Sequence, residues 1–173
     1  MKKVAIFGNA GGGKSTLAKK LAHITGLPLH PLDSIQFKPG GGAVPHDEYL
    51  TKHAELLTRD EWIIDGFGCV KSAWDRFHHA DTLVYVDLPL FTHFRWVTKR
   101  LFEGGFTTPE GWPPNSPMVS STISSYRVLW SCHRYLTPKY RALAAEARAH
   151  KRVHHLRSPA DIAAFLENVT AAS

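Results

Sequence analysis

The stretch Lys2–Leu21, KKVAIFGNAGGGKSTLAKKL, decides the fold. A short apolar run, Val4-Ala5-Ile6-Phe7, stops at Gly8. GNAGGGKS follows and fits the pattern G-x-x-x-x-G-K-[ST] from Gly8 to Ser15. Leu17, Ala18 and Leu21 then recur at helical spacing. Strand, glycine loop and helix start thus stand in the order that gives this motif its chemistry. Glycines let the backbone curl so that several N–H groups point at one anion. The helix starting near Lys14 adds its own unpaired N–H groups and the positive end of its dipole. Lys14 supplies a mobile positive charge for the β- and γ-phosphates, Ser15 a hydroxyl for Mg²⁺, and Thr16 a further phosphate contact. Gly8-Asn9-Ala10-Gly11-Gly12-Gly13-Lys14-Ser15-Thr16 is therefore expected to hold a nucleoside triphosphate such as ATP.

Outward from this stretch, the 173 residues suit one domain, 1–173, with a sizeable core. Hydrophobic residues make up 43% and charged residues 21%, which fits a water-soluble chain and excludes a disordered one. No apolar run approaches a membrane span, and Lys2-Lys3 with four apolar residues is too short for a signal peptide. The expected location is cytoplasmic. Cys69 and Cys132 form no CxxC pair and no disulfide framework. His78-His79 and His154-His155 lack metal-ligand spacing and read as surface or core residues. The formal charge of +6 is uneven: from Leu90 to Arg157 there are eleven Lys or Arg against three Asp or Glu. A basic half facing an acidic substrate is one reading and nucleic-acid binding the other; no zinc-finger, RNP or helix-turn-helix signature supports the second.

Along the chain, Gly26 ends the first helix, and Leu27-Pro28-Leu29-His30-Pro31-Leu32 reads as a short extended segment ending at Asp33. An acid just past a strand's C-terminal end lies where open α/β sheets bind ligands. Residues 38–45 are a loop by composition, and His46 to Arg59 reads as a helix. In Glu61-Trp62-Ile63-Ile64-Asp65-Gly66-Phe67-Gly68, three bulky apolar residues lead into Asp and Gly, the pattern of a buried parallel strand carrying a Walker-B acid. Alone, that pattern also fits an ordinary strand end. Beside the glycine loop, Mg²⁺ needs a carboxylate near Ser15, and Asp65 is expected to hold it through a water.

Val70 to His79 reads as a short helix containing Arg76, Asp81 to Asp87 as a strand, and Leu90 to Phe102 as a helix carrying Arg95, Lys99 and Arg100. Glu103 to Pro117 is rich in Gly and Pro, and a loop of that length is usually functional. Trp112 within it could stack on a base or pin the loop. Met118 to Leu136 is a candidate helix that places Arg127 and Arg134 on one face, and Pro138 should break or kink it. An Ala-rich helix from Arg141 to His150, a strand from Lys151 to Leu156 and a helix from Ala160 to Val169 complete the chain. Ser158 is the expected N-cap, with Pro159 at the first helical position. This alternation gives an α/β fold with a five-stranded parallel sheet covered by helices on both faces.

GNAGGGKST, LDSIQFKPG around Asp33, WIIDGFG and a VDLP strand followed by an Arg-bearing helix resemble the nucleoside-monophosphate-kinase group of P-loop proteins. More narrowly, the chain resembles the small adenylate-kinase-related proteins labelled DNA topology modulation proteins, over nearly its whole length. The resemblance implies a three-layer fold, strand order 2-3-1-4-5, a mobile lid at about 101–118, and ATP with Mg²⁺ as cofactors. Adenylate kinases carry an Asp-Gly-Phe-Pro-Arg run whose Arg grips the monophosphate; here Gly68 and Cys69 follow Asp65-Gly66-Phe67, and Arg76 is the nearest candidate. In small-molecule kinases of this superfamily, shikimate kinase among them, an Asp ending the second strand contacts the acceptor hydroxyl, and Asp33 is placed the same way. A hydroxyl acceptor benefits from such a base, whereas a phosphate acceptor is already anionic. Asp33 also reads as a turn residue or as an indirect Mg²⁺ partner.

In this group lid arginines close over the transferred phosphoryl group. Arg100 best matches the position where the lid begins, Arg95 is the second choice and an acceptor contact, and Arg127 and Arg134 lie beyond the loop. Arg157 and Ser158 fall where the group passes the adenine. The function implied is transfer of the γ-phosphoryl group of ATP to a small acceptor, a nucleoside monophosphate or a hydroxyl metabolite, by a monomer or homodimer. A nucleotide-dependent regulatory or nucleic-acid-associated ATPase is the alternative. A GTPase reading has D-x-x-G at Asp65 but lacks any N-K-x-D run.

Overall fold

The computed structural model describes residues 1–38, 42–103 and 126–172, with side chains except those of residues 100–103. At its centre β1 (Lys3–Gly8) buries Val4, Ala5, Ile6 and Phe7 completely or nearly so. Side chains alternate across a strand. Val4 and Ile6 accordingly pack into one apolar layer and Ala5 and Phe7 into the other. β1 pairs in parallel with β3 (Trp62–Asp65) on one side and β4 (Thr82–Val86) on the other. β2 (Leu29–Pro31) and β5 (Arg152–Leu156) form the edges, so the order is β2-β3-β1-β4-β5, the order the resemblance implied. Both inner partners of β1 are buried at every position, as expected of continuous apolar runs in a covered parallel sheet.

Two layers of helices follow from that alternation. On the Val4/Ile6 face lie α1 (Lys14–Thr25), through Leu17, Ala18 and Leu21, and the C-terminal helix Pro159–Ala171, through Phe165 and Val169. The Ala5/Phe7 face is covered by α3 (His46–Thr58) and α4 (Val70–His79), and by Tyr140, Ala144 and Ala147 of the helix Thr137–Ala147. Phe7 is the hub of this side: its ring stacks on Tyr85 at 4.9 Å and meets Phe77 at 4.4 Å and Tyr140 edge-on at 5.2 Å. A one-turn helix, α2 (Asp33–Gln36), follows β2, and α5 (Leu90–Glu103) follows β4. In chain order Thr137–Ala147 is α6 and Pro159–Ala171 is α7. Among the described residues no helix is long and apolar enough to cross a membrane.

Element ends follow local chemistry. Ser158 caps α7: its hydroxyl accepts from the Asp161 N–H at 3.1 Å and donates to the Asp161 carboxylate at 2.8 Å, with Pro159 in the first turn. Cys69 and Ser72 form a reciprocal cap at the start of α4. At the other end of α4 the Lys151 ammonium donates to the carbonyls of Phe77, His78 and Ala80. A cation there satisfies carbonyls the helix leaves unpaired and opposes the negative end of its dipole.

The region around Pro138 differs from expectation. Residues 126–131 are helical, Cys132–Leu136 form a π-turn, and α6 starts at Thr137, ahead of the expected Arg141, and ends at Ala147. Pro138 has no N–H to donate and its ring crowds the preceding turn. The π-turn absorbs both problems without ending the helical run, so proline sits in the first turn of α6. The expected lid at 101–118, Trp112 and residues 118–125 of the expected helix lie wholly or largely outside the described residues, as does the side chain of Arg100.

Lys151→Met should lower folding stability by about 1–2 kcal/mol, because three carbonyls lose a charged donor. Chemical denaturation of both proteins, with unchanged slope, checks this.

Candidate active site

All strands run the same way, so their C-terminal ends deliver the chemistry to one edge of the sheet. Gly8 closes β1 opposite Val86, and Ile6 pairs with Asp65 of β3, which pairs with Pro31 of β2. The Leu32 N–H donates to the Asp65 carbonyl at 2.8 Å, so Asp33, the next residue, is pinned beside the end of β3. The glycine loop, Asp33 and Asp65 are thereby brought together.

In the loop, Gly11 and Gly13 hold φ of 65° and 72°, conformations that cost a side-chain-bearing residue energy. Gly13 is the residue before α1, which leads with Lys14. The Lys14 ammonium donates to the Asn9 carbonyl at 2.8 Å and so lies across the loop. Ser15 and Thr16 are exposed at the helix N-terminus. Asn9 is buried; its side-chain carbonyl accepts from the Ala10 N–H at 2.8 Å and its amide donates to the Leu129 carbonyl at 3.0 Å. Its side chain therefore ties the loop to the helical residues 126–131.

The acids are under electrostatic tension. Asp65 is buried and, among the described residues, its Oδ1 has no hydrogen-bond partner. Burial pushes the Asp33 carboxyl above its usual 3.8, the neighbouring Asp65 carboxylate pushes in the same direction, and Lys14 pulls it back. Asp33 thus senses both Lys14 and Asp65.

Arg76 is fully buried on α4. One guanidinium nitrogen donates to the Gly66 carbonyl at 2.8 Å, while among the described residues Nε and Nη1 have no hydrogen-bond partner, and the group lies 5.4 Å from the centre of the Phe77 ring. Burial lowers its pKa to about 10, against the pull of Tyr49, Tyr140 and Asp65, so it stays charged at neutral pH. Its visible work is to hold Gly66, next to Asp65. Arg95, Arg127, Arg134 and Arg157 are exposed. Arg134 falls in the π-turn, whose wider pitch offsets it from the α-helical phase of Arg127. Arg157 lies 3.4 Å from His155, and the Ser158 hydroxyl is engaged in its cap.

Two groups on this edge escaped the sequence reading. Asp87, just past β4, accepts from Arg141 Nε and His155 Nε2, both at 2.8 Å, and from Arg141 Nη2 at 3.1 Å. These donors hold its carboxyl below the usual range although burial pushes it up. The VDLP motif marked the strand end but not these partners. The second is His93 of α5, buried, with Nδ1 2.7 Å from the Ala10 carbonyl. Its only sequence signal was its place on the same helical face as Trp96 and Val97.

No protein-family model matches the sequence, and no curated protein matches it. Solved structures do. A shikimate kinase from Acinetobacter baumannii, in complex with shikimate, superposes with a TM-score of 0.62 at 14% identity, covering 100% of this chain and 95% of that one. The chain has the P-loop kinase fold. A shikimate kinase from Bacteroides thetaiotaomicron (TM-score 0.54, 12% identity, 98% and 96% covered) agrees. So does a sugar kinase from Janibacter sp. HTCC2649 (TM-score 0.51, 15% identity, 99% and 91% covered). At these identities the likeness concerns the fold.

Because the native environment raises the Asp33 pKa, stability is lost as pH rises from the ordinary carboxylate value, where the unfolded chain ionises, through the raised value, above which the cost is complete. Below the ordinary carboxylate range Asp33 is neutral in both folded and unfolded chains, and the cost vanishes. Asp33→Asn should therefore melt at higher temperature than the parent at pH 7, with the gap closing as pH falls below about 4. Thermal melts across that range check the sign.

Proposed function

We propose that this protein is an ATP- and Mg²⁺-dependent phosphotransferase that moves the γ-phosphoryl group of ATP to a hydroxyl of a small acceptor. The single observation that carries the reading is the meeting of Lys14, Asp33 and Asp65 at one sheet edge. Asp33 is partly desolvated there with its pKa raised. A phosphate-binding loop alone would serve any nucleotide switch; a raised carboxyl beside it suits a base that takes a proton from an attacking hydroxyl.

The residues fit Mg²⁺. Asp65 offers a buried carboxylate oxygen without a hydrogen-bond partner among the described residues, and Ser15 offers an exposed hydroxyl. Hard oxygen donors, with few from the protein and the rest from phosphates and water, are what this ion takes. When bound it would neutralise charge on the β- and γ-phosphates.

In this reading the backbone N–H groups from Gly8 to Thr16 and the Lys14 ammonium, released from the Asn9 carbonyl, hold the triphosphate. Asp33 accepts the acceptor's proton while Arg76 keeps Gly66, and with it Asp65, in place. Arg100 and Arg95 on α5, and Arg127 and Arg134 beyond the lid, stabilise charge on the transferred group from the opposite side. Arg157 and Ser158 flank the base. The fold shared with shikimate and sugar kinases supports a small hydroxyl-bearing acceptor. The narrower kinship with adenylate-kinase-related proteins rests on the LDSIQFKPG and WIIDGFG segments. A nucleic-acid-associated ATPase would use the exposed arginines but leave Asp33 without a role.

Lys14→Ala should abolish ATP binding and turnover together. Asp33→Asn should bind ATP within about threefold of the parent yet transfer to a hydroxyl at least about a hundredfold more slowly. Calorimetric titration with Mg·ATP and steady-state rates separate the two; an Asp33→Asn enzyme turning over at the parental rate would refute the assignment.

A further inference from the structure

Three consecutive glycines of the loop lie against one face of α5. A Cβ built on Gly11 would sit 2.4 Å from Val97 Cγ2, one on Gly12 2.9 Å from His93 Cε1, and one on Gly13 3.1 Å from Trp96 Cζ3. His93, Trp96 and Val97 are spaced i, i+3, i+4, a single helical stripe. The helix that follows the fourth strand is thus a mould against which the loop is cast. Within the mould one contact is polar and directional: His93 Nδ1 stands 2.7 Å from the Ala10 carbonyl oxygen. A carbonyl only accepts, so Nδ1 carries the proton and donates. His93 is 1% exposed, and burial lowers its pKa against the pull of the Ala10 and Leu88 backbones, which favours a neutral ring.

The peptide bond between Ala10 and Gly11 is trans, as are all those described. In a trans peptide the C=O and the next N–H point in opposite directions across one plane. A donor that fixes the Ala10 carbonyl toward α5 therefore fixes the Gly11 N–H away from α5. We propose that His93 is a positioning residue for the phosphate-binding loop: through its Nδ1–H it locks the Ala10–Gly11 peptide so that the Gly11 N–H faces the bound phosphates. The inference rests on the nucleotide reading of the loop. It makes α5 part of the anion site without any contact between His93 and ATP. The loop is also joined to the helical residues 126–131 through Asn9 and Leu129. That segment is tied back to α5 by the Thr98–Tyr126 hydroxyl pair at 2.6 Å and the stacked Phe94–Tyr126 rings. The peptide plane is therefore held within a connected frame.

The test uses two substitutions that differ only in where the amide falls. The amide nitrogen of asparagine can reach the place of Nδ1, whereas that of glutamine reaches the place of Nε2. His93→Asn should bind Mg·ATP within about threefold of the parent, and His93→Gln about tenfold more weakly, the value of one directional hydrogen bond. The Gly11 amide resonance in ¹⁵N-labelled protein should shift on ATP addition in the parent and in His93→Asn, and much less in His93→Gln. Thermal midpoints report folding separately, and His93→Leu adds a variant with no donor, expected to match His93→Gln. Equal ATP affinities for His93→Asn and His93→Gln, or a His93→Leu protein binding like the parent, would overturn the inference while leaving the nucleotide reading intact. A parent protein that binds no Mg·ATP would overturn both.

Discussion

Parallel pairing of β1 with both of its neighbours is the constraint on which the rest of the structure depends. Two parallel neighbours oblige the chain to cross back over the sheet after every strand, and those crossings supply the covering helices. They also bring the end of each strand to the same edge. Gly8, Asp33, Asp65 and Asp87 share that edge although they are far apart in sequence. The apolar alternation that separates Val4 and Ile6 from Ala5 and Phe7 is what makes the pairing stable, because each face then has its own apolar layer. The site is a consequence of the core's geometry.

At that edge, charge is held in a strained balance. Burial and the neighbouring Asp65 carboxylate disfavour ionisation of Asp33, and Lys14 offsets part of this. Among the described residues the buried Arg76 has one hydrogen-bond partner, the Gly66 carbonyl, and its Nε and Nη1 have none. Unpaired buried polar atoms of this kind cost stability and are retained where function needs them. Asp87 is the opposite case: Arg141 and His155 satisfy it from α6 and β5, so it fastens the edge beside Arg157. The contrast separates a carboxylate fastened on several sides from buried polar groups with atoms left unpaired among the described residues.

Much of this was legible in the sequence. The glycine loop announced itself because its pattern sat between a strand and a helix, and α4 spans Val70–His79 as read, because apolar periodicity and flanking residues agreed. Strand order followed from resemblance and could not come from periodicity, which knows nothing of neighbours. Arg76 read as a candidate acceptor contact and gave no sign of being buried, since an arginine on an amphipathic helix does not reveal which face it lies on. His93 was illegible for a related reason: a histidine among Phe, Trp and Val reads as core, and its carbonyl partner is 83 residues away. Pro138 misled in the usual direction, because a proline signal cannot say that a π-turn will absorb it. Lys151, read only as the start of a strand, caps a helix more than 70 residues earlier, a contact set by tertiary packing.

Transfer of a phosphoryl group to a hydroxyl, the proposed role of this edge, is best read from product formation. Purified protein is incubated with Mg·ATP and a panel of sugars, polyols, cyclic hydroxy acids and nucleoside monophosphates, and ³¹P NMR follows both ADP and new phosphate esters. ADP release should depend on one hydroxyl-bearing class and be matched by an equal amount of its phosphomonoester. ADP release no greater than in the acceptor-free control across the whole panel, or a diphosphate product from a nucleoside monophosphate, would contradict it.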